Sequence, residues 1–187
     1  MRQILFAFLI IVFQSTILCA GELQSVENND CSVIVKPEDF EGENISEQIS
    51  NALDFIKECN GGTILFKDSP IYLISEAIAL PSNTKMIVDG CKIKLADQVF
   101  DNIIRSGNLD IDDKDPNGYA KQLLPAQNIK IIGMNGAIIE GAENFYEGIN
   151  PKTKVKEKWL GDYWGWRNFT ILFSYVDGFE ISGLKVQ

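Results

Sequence analysis

Histidine is absent from all 187 residues. That absence excludes every Ser-His-Asp or Cys-His nucleophile arrangement, every zinc site with an imidazole ligand, and histidine as a general base. Basic residues are scarce as well, 17 Lys and Arg against 26 Asp and Glu, for a net charge of -9. A broad basic face for nucleic acid is therefore excluded. The one unbroken apolar run, Ile4 to Phe13, is too short to span a bilayer. Cysteines form no CxxC pair, so neither a redox motif nor a thiolate metal site is expected. What is present, 45% hydrophobic and 23% charged residues, suits one folded domain with a real core.

Met1-Arg2-Gln3, the apolar run and the small residues from Ser15 to Ala20 follow the three-part layout of a secretory signal peptide, expected over residues 1–20. An exported protein, extracellular or periplasmic, is the expectation. Cleavage after Ala20 removes Arg2 and leaves Cys31, Cys59 and Cys91, an odd set that allows one disulfide at most or buried free thiols. Asn44-Ile45-Ser46 and Asn168-Phe169-Thr170 are glycosylation sequons if the chain passes through a eukaryotic secretory route. Residues 21–32 read as a polar lead-in.

The first regular element is a helix over about 45–58. Ile45, Ile49, Ala52, Leu53 and Ile56 make one apolar stripe at the 3.6 period, Asn44-x-x-Glu47 has the capping-box form, and Gly61-Gly62 supplies a stop. The remainder reads as short strands bounded by Gly, Pro, Asn or Asp: Thr63–Phe66, Ile71–Ile74, Ile78–Leu80, Met86–Val88, Lys92–Leu95, Asn102–Ile104, Ile129–Ile132, Ala137–Ile139, Thr170–Phe173, Phe179–Ile181 and Leu184–Val186. An apolar-x-apolar-x-Gly pattern recurs at Met86 to Gly90, Ile129 to Gly133 and Phe179 to Gly183, near multiples of a turn of roughly 20 to 25 residues. The fold expected is all-β, a right-handed parallel β-helix over 33–187. An amphipathic N-terminal helix would cap it, insertions would fall at about 105–127 and 141–168, and the last strand pattern would stand uncapped, as in a fragment whose chain continues.

Ile49-Ser50-Asn51-Ala52-Leu53-Asp54, Gly61-Gly62-Thr63-Ile64-Leu65-Phe66, Tyr72-Leu73-Ile74, Leu80-Pro81-Ser82-Asn83-Thr84, Ile87-Val88-Asp89-Gly90 and Gly178-Phe179-Glu180-Ile181-Ser182-Gly183-Leu184 resemble the N-terminal part of pectin-degrading β-helix enzymes. The polygalacturonase-like glycoside hydrolase family 28 and its pectate-lyase-superfamily relatives are the families resembled. The resemblance implies an acidic polysaccharide such as pectin as partner and no organic cofactor; a monomer is expected, and charge and run length speak against nucleic acid and a membrane span. That hydrolase family carries its Asn-x-Asp and Asp-Asp motifs, followed by Gly-His-Gly, on later coils than this chain is expected to reach, and the chain has no histidine. Asp112-Asp113 stands in a polar loop before the second standard coil, and no catalytic residue transfers. A non-catalytic carbohydrate-binding or adhesion β-helix is the alternative.

Two stretches carry the residue types of a binding site. Trp159, Tyr163, Trp164 and Trp166 with Arg167 gather all three tryptophans of the chain in one loop; indole faces stack on pyranose rings, and a guanidinium clamps a hydroxyl or uronate. The same rings would equally fasten a long insertion to the side of the fold. Asp113, Asp115 and Asn117 before Gly118 match the first half of a calcium loop, but position twelve is Leu124 and Pro116 interrupts the run. Calcium is thus one reading, and a solvated Asp-Pro-Asn-Gly turn is the other.

Overall fold

The computed structural model describes residues 33–99, 101–111, 120–144, 147–149, 154, 156–158 and 169–187. Strand β1 (Ile34–Val35), a 3-10 turn (Pro37–Asp39) and helix α1 (Ile45–Glu58) come first. They are followed by β2 (Gly62–Phe66), β3 (Ile71–Ile74), β4 (Ile78–Leu80), β5 (Thr84–Asp89), β6 (Lys92–Leu95) and β7 (Ile104–Ser106). A hairpin of β8 (Leu109–Ile111) and β9 (Ala120–Leu123) precedes β10 (Ala126–Met134) and β11 (Ile138–Glu140). A second hairpin, β12 (Glu147–Ile149) and β13 (Lys156–Lys158), precedes β14 (Ile171–Leu172), β15 (Val176–Ser182) and β16 (Lys185–Val186).

The strands form three parallel sheets that the chain visits in turn, with both hairpins antiparallel. The first sheet runs β1-β2-β5-β10-β15, the second β3-β6-β11-β16 and the third β4-β7-β14. Several of the strands alternate one residue in, one out, as in β3, β5 and β6. Register therefore stacks like on like: Ile64, Met86, Ile131 and Ile181 share one inward row, and Tyr72, Ile93 and Ile139 another. Ile64, Met86, Ile131, Ile93 and Ile139 are fully buried. Burying each such side chain is worth about 1.5–3 kcal/mol, so the rows between the sheets are the core.

Helix α1 spans the expected residues. Asn44 Oδ1 accepts the Glu47 amide at 3.1 Å, the first half of a capping box; the Glu47 carboxylate accepts from the Glu43 amide at 2.7 Å, one residue before the cap. Ile49, Ala52, Leu53 and Ile56 are buried, against β2, β3 and β4. The helix stops at Glu58, ahead of the glycine pair, as expected. Asn60 takes the left-handed conformation at φ 59°, and Gly61 N–H returns to Ile56 O at 2.9 Å.

Two expectations shift in register. Met86 pairs with Ile131, so Gly90 lies opposite the Asn135-Gly136 turn, and Gly133 is a strand residue opposite Val88. The recurring glycine pattern thus aligns Ile129 to Gly133 with Phe179 to Gly183 but not with Met86 to Gly90. The later chain turns its corner early, at Gly183, directly over Gly133; a Cβ on Gly133 would lie 2.5 Å from the Gly183 carbonyl oxygen. The strand expected at Asn102–Ile104 begins at Ile104, because Asn102 uses its side chain on Phe169 O at 2.9 Å.

Side-chain ladders tie successive turns of chain together. Asn83 (φ 59°), Asn128 (φ 55°) and Gly178 (φ 71°) stack in left-handed conformations, with Asn128 Nδ2 donating to Asn83 Oδ1 at 3.0 Å and Asn83 Nδ2 to Asn60 O at 3.2 Å. Tyr72 lies with its hydroxyl in a turn whose Lys67, Asp68 and Ser69 amides donate to it, while it donates to Glu38 at 2.6 Å. Burial, with the Glu38 bond, pushes its pKa up to about 12. Cys91 is a buried thiol bonded to Phe66 O at 3.3 Å, and burial pushes its pKa up to about 11, which leaves it inert as a nucleophile at neutral pH.

Candidate functional site

Both long excursions of the chain border the third sheet. One leaves β7 at Gly107 and returns through Pro125; the other leaves β11 and re-enters at β14. Asn108 clamps the neck of the first, donating to Leu124 O and, across to the neighbouring turn, to Ser174 O at 2.8 Å. Asp97 clamps the second, accepting the Glu143 and Asn144 amides at 3.0 Å each, and these bonds, led by the Asn144 side chain, hold its carboxyl below the ordinary range. Thr170 O then receives the Ile103 and Ile104 amides at 3.2 and 3.0 Å. The face between the two necks is the natural place for a site, since loops on a rigid scaffold carry function.

The outward row of that face is Ala79, Arg105 and Leu172, in register across β4, β7 and β14. A cleft of about 240 Å³ opens there against α1, lined on the sheet side by Glu76, Ala79, Arg105 and Gly107 and on the helix side by Ser50, Asp54 and Lys57. Ser50, Asp54 and Lys57 share one helical face at i, i+4 and i+7. Arg105 is the fixed polar group. Its Nη1 lies 2.7 Å from Asp101 Oδ1, and both side chains are about one-fifth exposed. Asp101 is itself held: Oδ1 accepts the Asn102 amide at 2.8 Å and Oδ2 the Ala77 amide of the preceding turn at 3.2 Å. A guanidinium so placed is a positive charge held in position over a small-residue floor.

The expected binding residues Trp159, Tyr163, Trp164, Trp166 and Arg167 lie outside the described residues, as do the calcium candidates Asp113, Asp115 and Asn117. The structure places the ends of the excursions that contain them, at opposite borders of the third sheet. Among the described residues no group of three or more Cys, Asp or Glu is arranged to hold a metal ion. Arg105, Asp101, Asp54, Lys57 and Glu76 were not singled out from the sequence. One signal for the first was there, because Arg105 is one of three arginines and alternates outward from Ile104 and Ser106.

A second hollow lies beside β15, where Phe173, Tyr175, Val176 and Phe179 surround apolar space; Phe173 and Phe179 meet edge to face at 5.7 Å. Among the described residues its one charged lining residue is Asp177. No helix among the described residues is long and apolar enough to cross a membrane. No family model, curated protein or solved structure matches the chain.

Proposed function

We propose that this chain is a right-handed parallel β-helix of an exported, polysaccharide-active protein of the pectin-degrading, polygalacturonase-like class, and that it binds its polymer across the outer face of the third sheet. The observation that carries the reading is that both long excursions have an end at a border of that sheet, with Arg105 held on its outward row by Asp101. A sheet face bordered by two long loops would suit an extended chain of sugars rather than a compact ligand. The tryptophan-rich excursion would supply the stacking wall.

These turns of chain act in binding. Inverting hydrolysis needs an acid and a base roughly 6.5 to 9.5 Å apart across the scissile bond. The described outward row of the third sheet, Ala79, Arg105 and Leu172, holds no carboxylate. In a hydrolase of this class the acid and base would stand on other turns, and a non-catalytic carbohydrate-binding β-helix is the second reading that the same row favours.

Affinity electrophoresis through pectin-containing gels tests the proposal. Arg105→Gln should lose about tenfold or more in retention, the scale of a charge-assisted hydrogen bond. Ala79→Trp fills the trough without touching a charge and should abolish retention with the melting temperature kept. Unchanged retention in both variants would overturn the assignment of this face.

A further inference from the structure

Asn-Gly is the least durable of asparagine pairs, because glycine puts no side chain in the way of its own amide nitrogen. The chain holds three: Asn60-Gly61, Asn135-Gly136 and Asn117-Gly118, the last outside the described residues. The two described pairs stand in opposite surroundings. At Asn60-Gly61 the amide is occupied: Gly61 N–H stops helix α1 by donating to Ile56 O at 2.9 Å, and Gly61 is buried. Asn83 Cβ and O would lie 2.7 and 2.8 Å from a Cβ on Gly61, so this peptide has no room to turn.

At Asn135-Gly136 the amide is open. The turn closes through Ala137 N–H to Met134 O at 3.1 Å, and among the described residues no hydrogen bond takes the Gly136 N–H. Asn135 and Gly136 are both exposed, at φ 52° and 84°, and a Cβ on Gly136 would meet nothing within 4 Å. The side chain of Asn135 has one tether: Nδ2 donates to Asp89 Oδ1 of the preceding turn at 2.5 Å, an exposed bond that water replaces at small net cost.

We propose that Asn135-Gly136 is a site of spontaneous self-modification and that Asn60-Gly61 is spared by the fold. The Gly136 amide nitrogen attacks Asn135 Cγ. A bond forms between them, the Cγ–Nδ2 bond breaks, and Nδ2 leaves as ammonia with the proton that Gly136 gave up. Water then opens the cyclic imide at one of its two carbonyls, leaving aspartate or isoaspartate at 135. No oxidant or cofactor takes part. The product matters because of what it faces. In place of an amide that donates to Asp89, the corner carries a second carboxylate against the first, and the tether between successive turns becomes a repulsion. The inference is independent of the polysaccharide reading.

The test incubates the full chain, folded, in warm and mildly alkaline buffer, with a parallel sample held unfolded in urea. Peptide mapping by mass spectrometry follows each asparagine, and isoaspartyl methyltransferase labelling marks the rearranged product. In the folded chain Asn135 should convert about tenfold or more faster than Asn60. In urea the two should convert alike, since the fold alone separates them. Folded-state conversion of Asn60 as fast as Asn135, or an Asn135 that stays intact while Asn60 converts, would overturn the proposal. The consequence is read separately. Asn135→Asp should lower the melting temperature by about 2–4 °C, and adding Asp89→Asn, which restores one donor and one acceptor across the corner, should recover most of that loss. An Asn135→Asp chain that melts like the parent would overturn the claim that conversion loosens this join.

Discussion

The inward rows are dry in the middle of the described structure and wet at its last strands. Ile129, Ile131 and Ile139 are fully buried, whereas their register partners Phe179, Ile181 and Val186 are 61%, 43% and 52% exposed. Residue type does not explain the difference, since isoleucine occurs on both sides of it. Neighbours do: β10 lies between β5 and β15, while β15 pairs on one side only. In these sheets a side chain is buried where its strand has a neighbour on each side. The helix end makes the same point. There α1 takes the place of a neighbouring strand for β3 and β4, which end their sheets, and Ile74, Ile78 and Leu80 are buried.

The largest test of that contrast is a matched pair of truncations. Ile131→Ala should cost about 2–5 kcal/mol, the range for emptying a packed aliphatic site, whereas Ile181→Ala should cost about 1 kcal/mol or less. Urea midpoints of the two variants measure it. Equal losses would mean that stacking does not set the stability of each turn.

A smaller test sharpens the contrast at the corner between the last two turns. Gly133→Ala would drive a methyl against the Gly183 carbonyl, so an overpacking cost of about 1–3 kcal/mol is expected. Gly136 is the control. A Cβ there meets nothing within 4 Å, yet φ is +84°, so Gly136→Ala should cost only the backbone penalty, about 1–2 kcal/mol. Thermal melts that rank Gly136→Ala as the more damaging would show that the close approach of the last turn is not rigid.

The helix and most of the strands were legible in the sequence, and for a physical reason. Burial on one face writes a period, 3.6 for Ile49, Ala52, Leu53 and Ile56, and 2 for Ile71 to Ile74 or Lys92 to Leu95, and a period survives in a single sequence. Register was not legible. Which glycine stacks on which depends on how many residues each corner consumes, and the corner at Gly183 is shorter than the one at Asn135-Gly136. The cleft was hidden for a related reason: Asp54, Glu76 and Arg105 stand far apart in sequence, and only the return of the chain to the third sheet brings them together. The aromatic loop and the acidic loop drew attention by local composition, which says what a segment contains but not what it faces.

At the capped end the comparison is sharpened by Asn44. Asn44→Ala should cost about 1 kcal/mol, because the Glu47 amide loses its acceptor. If the helix only covers the end of the core, the loss should stay local, visible in amide exchange of Glu47 and Gln48 before that of β2. Simultaneous loss of protection in β2 would mean that cap and first turn unfold as one unit.

The smallest effect expected is electrostatic and lies on the outer face of the second sheet. Glu140 on β11 pairs with Lys92 and, at 2.9 Å, with Lys94 on β6, and accepts from Gln187 beyond β16 at 2.8 Å. These bonds, the Lys92 one foremost, hold its pKa down at about 2, from an ordinary 4.5. Lys94 is shifted the other way, raised chiefly by Glu143 and Glu140. For a carboxylate depressed in the folded state, the stabilisation is complete above pH 4.5 and is lost as pH falls towards 2. For the raised lysine the stabilisation is complete below 10.5 and is lost only at higher pH. Between those limits the ladder should be insensitive to pH. Glu140→Gln should therefore change the melting temperature little relative to the core variants, yet flatten its fall between pH 4.5 and 2. Melting curves across that window decide whether the outer face adds to the same strand-to-strand coupling as the core: an acid limb as steep in Glu140→Gln as in the parent would leave the coupling to the buried rows alone.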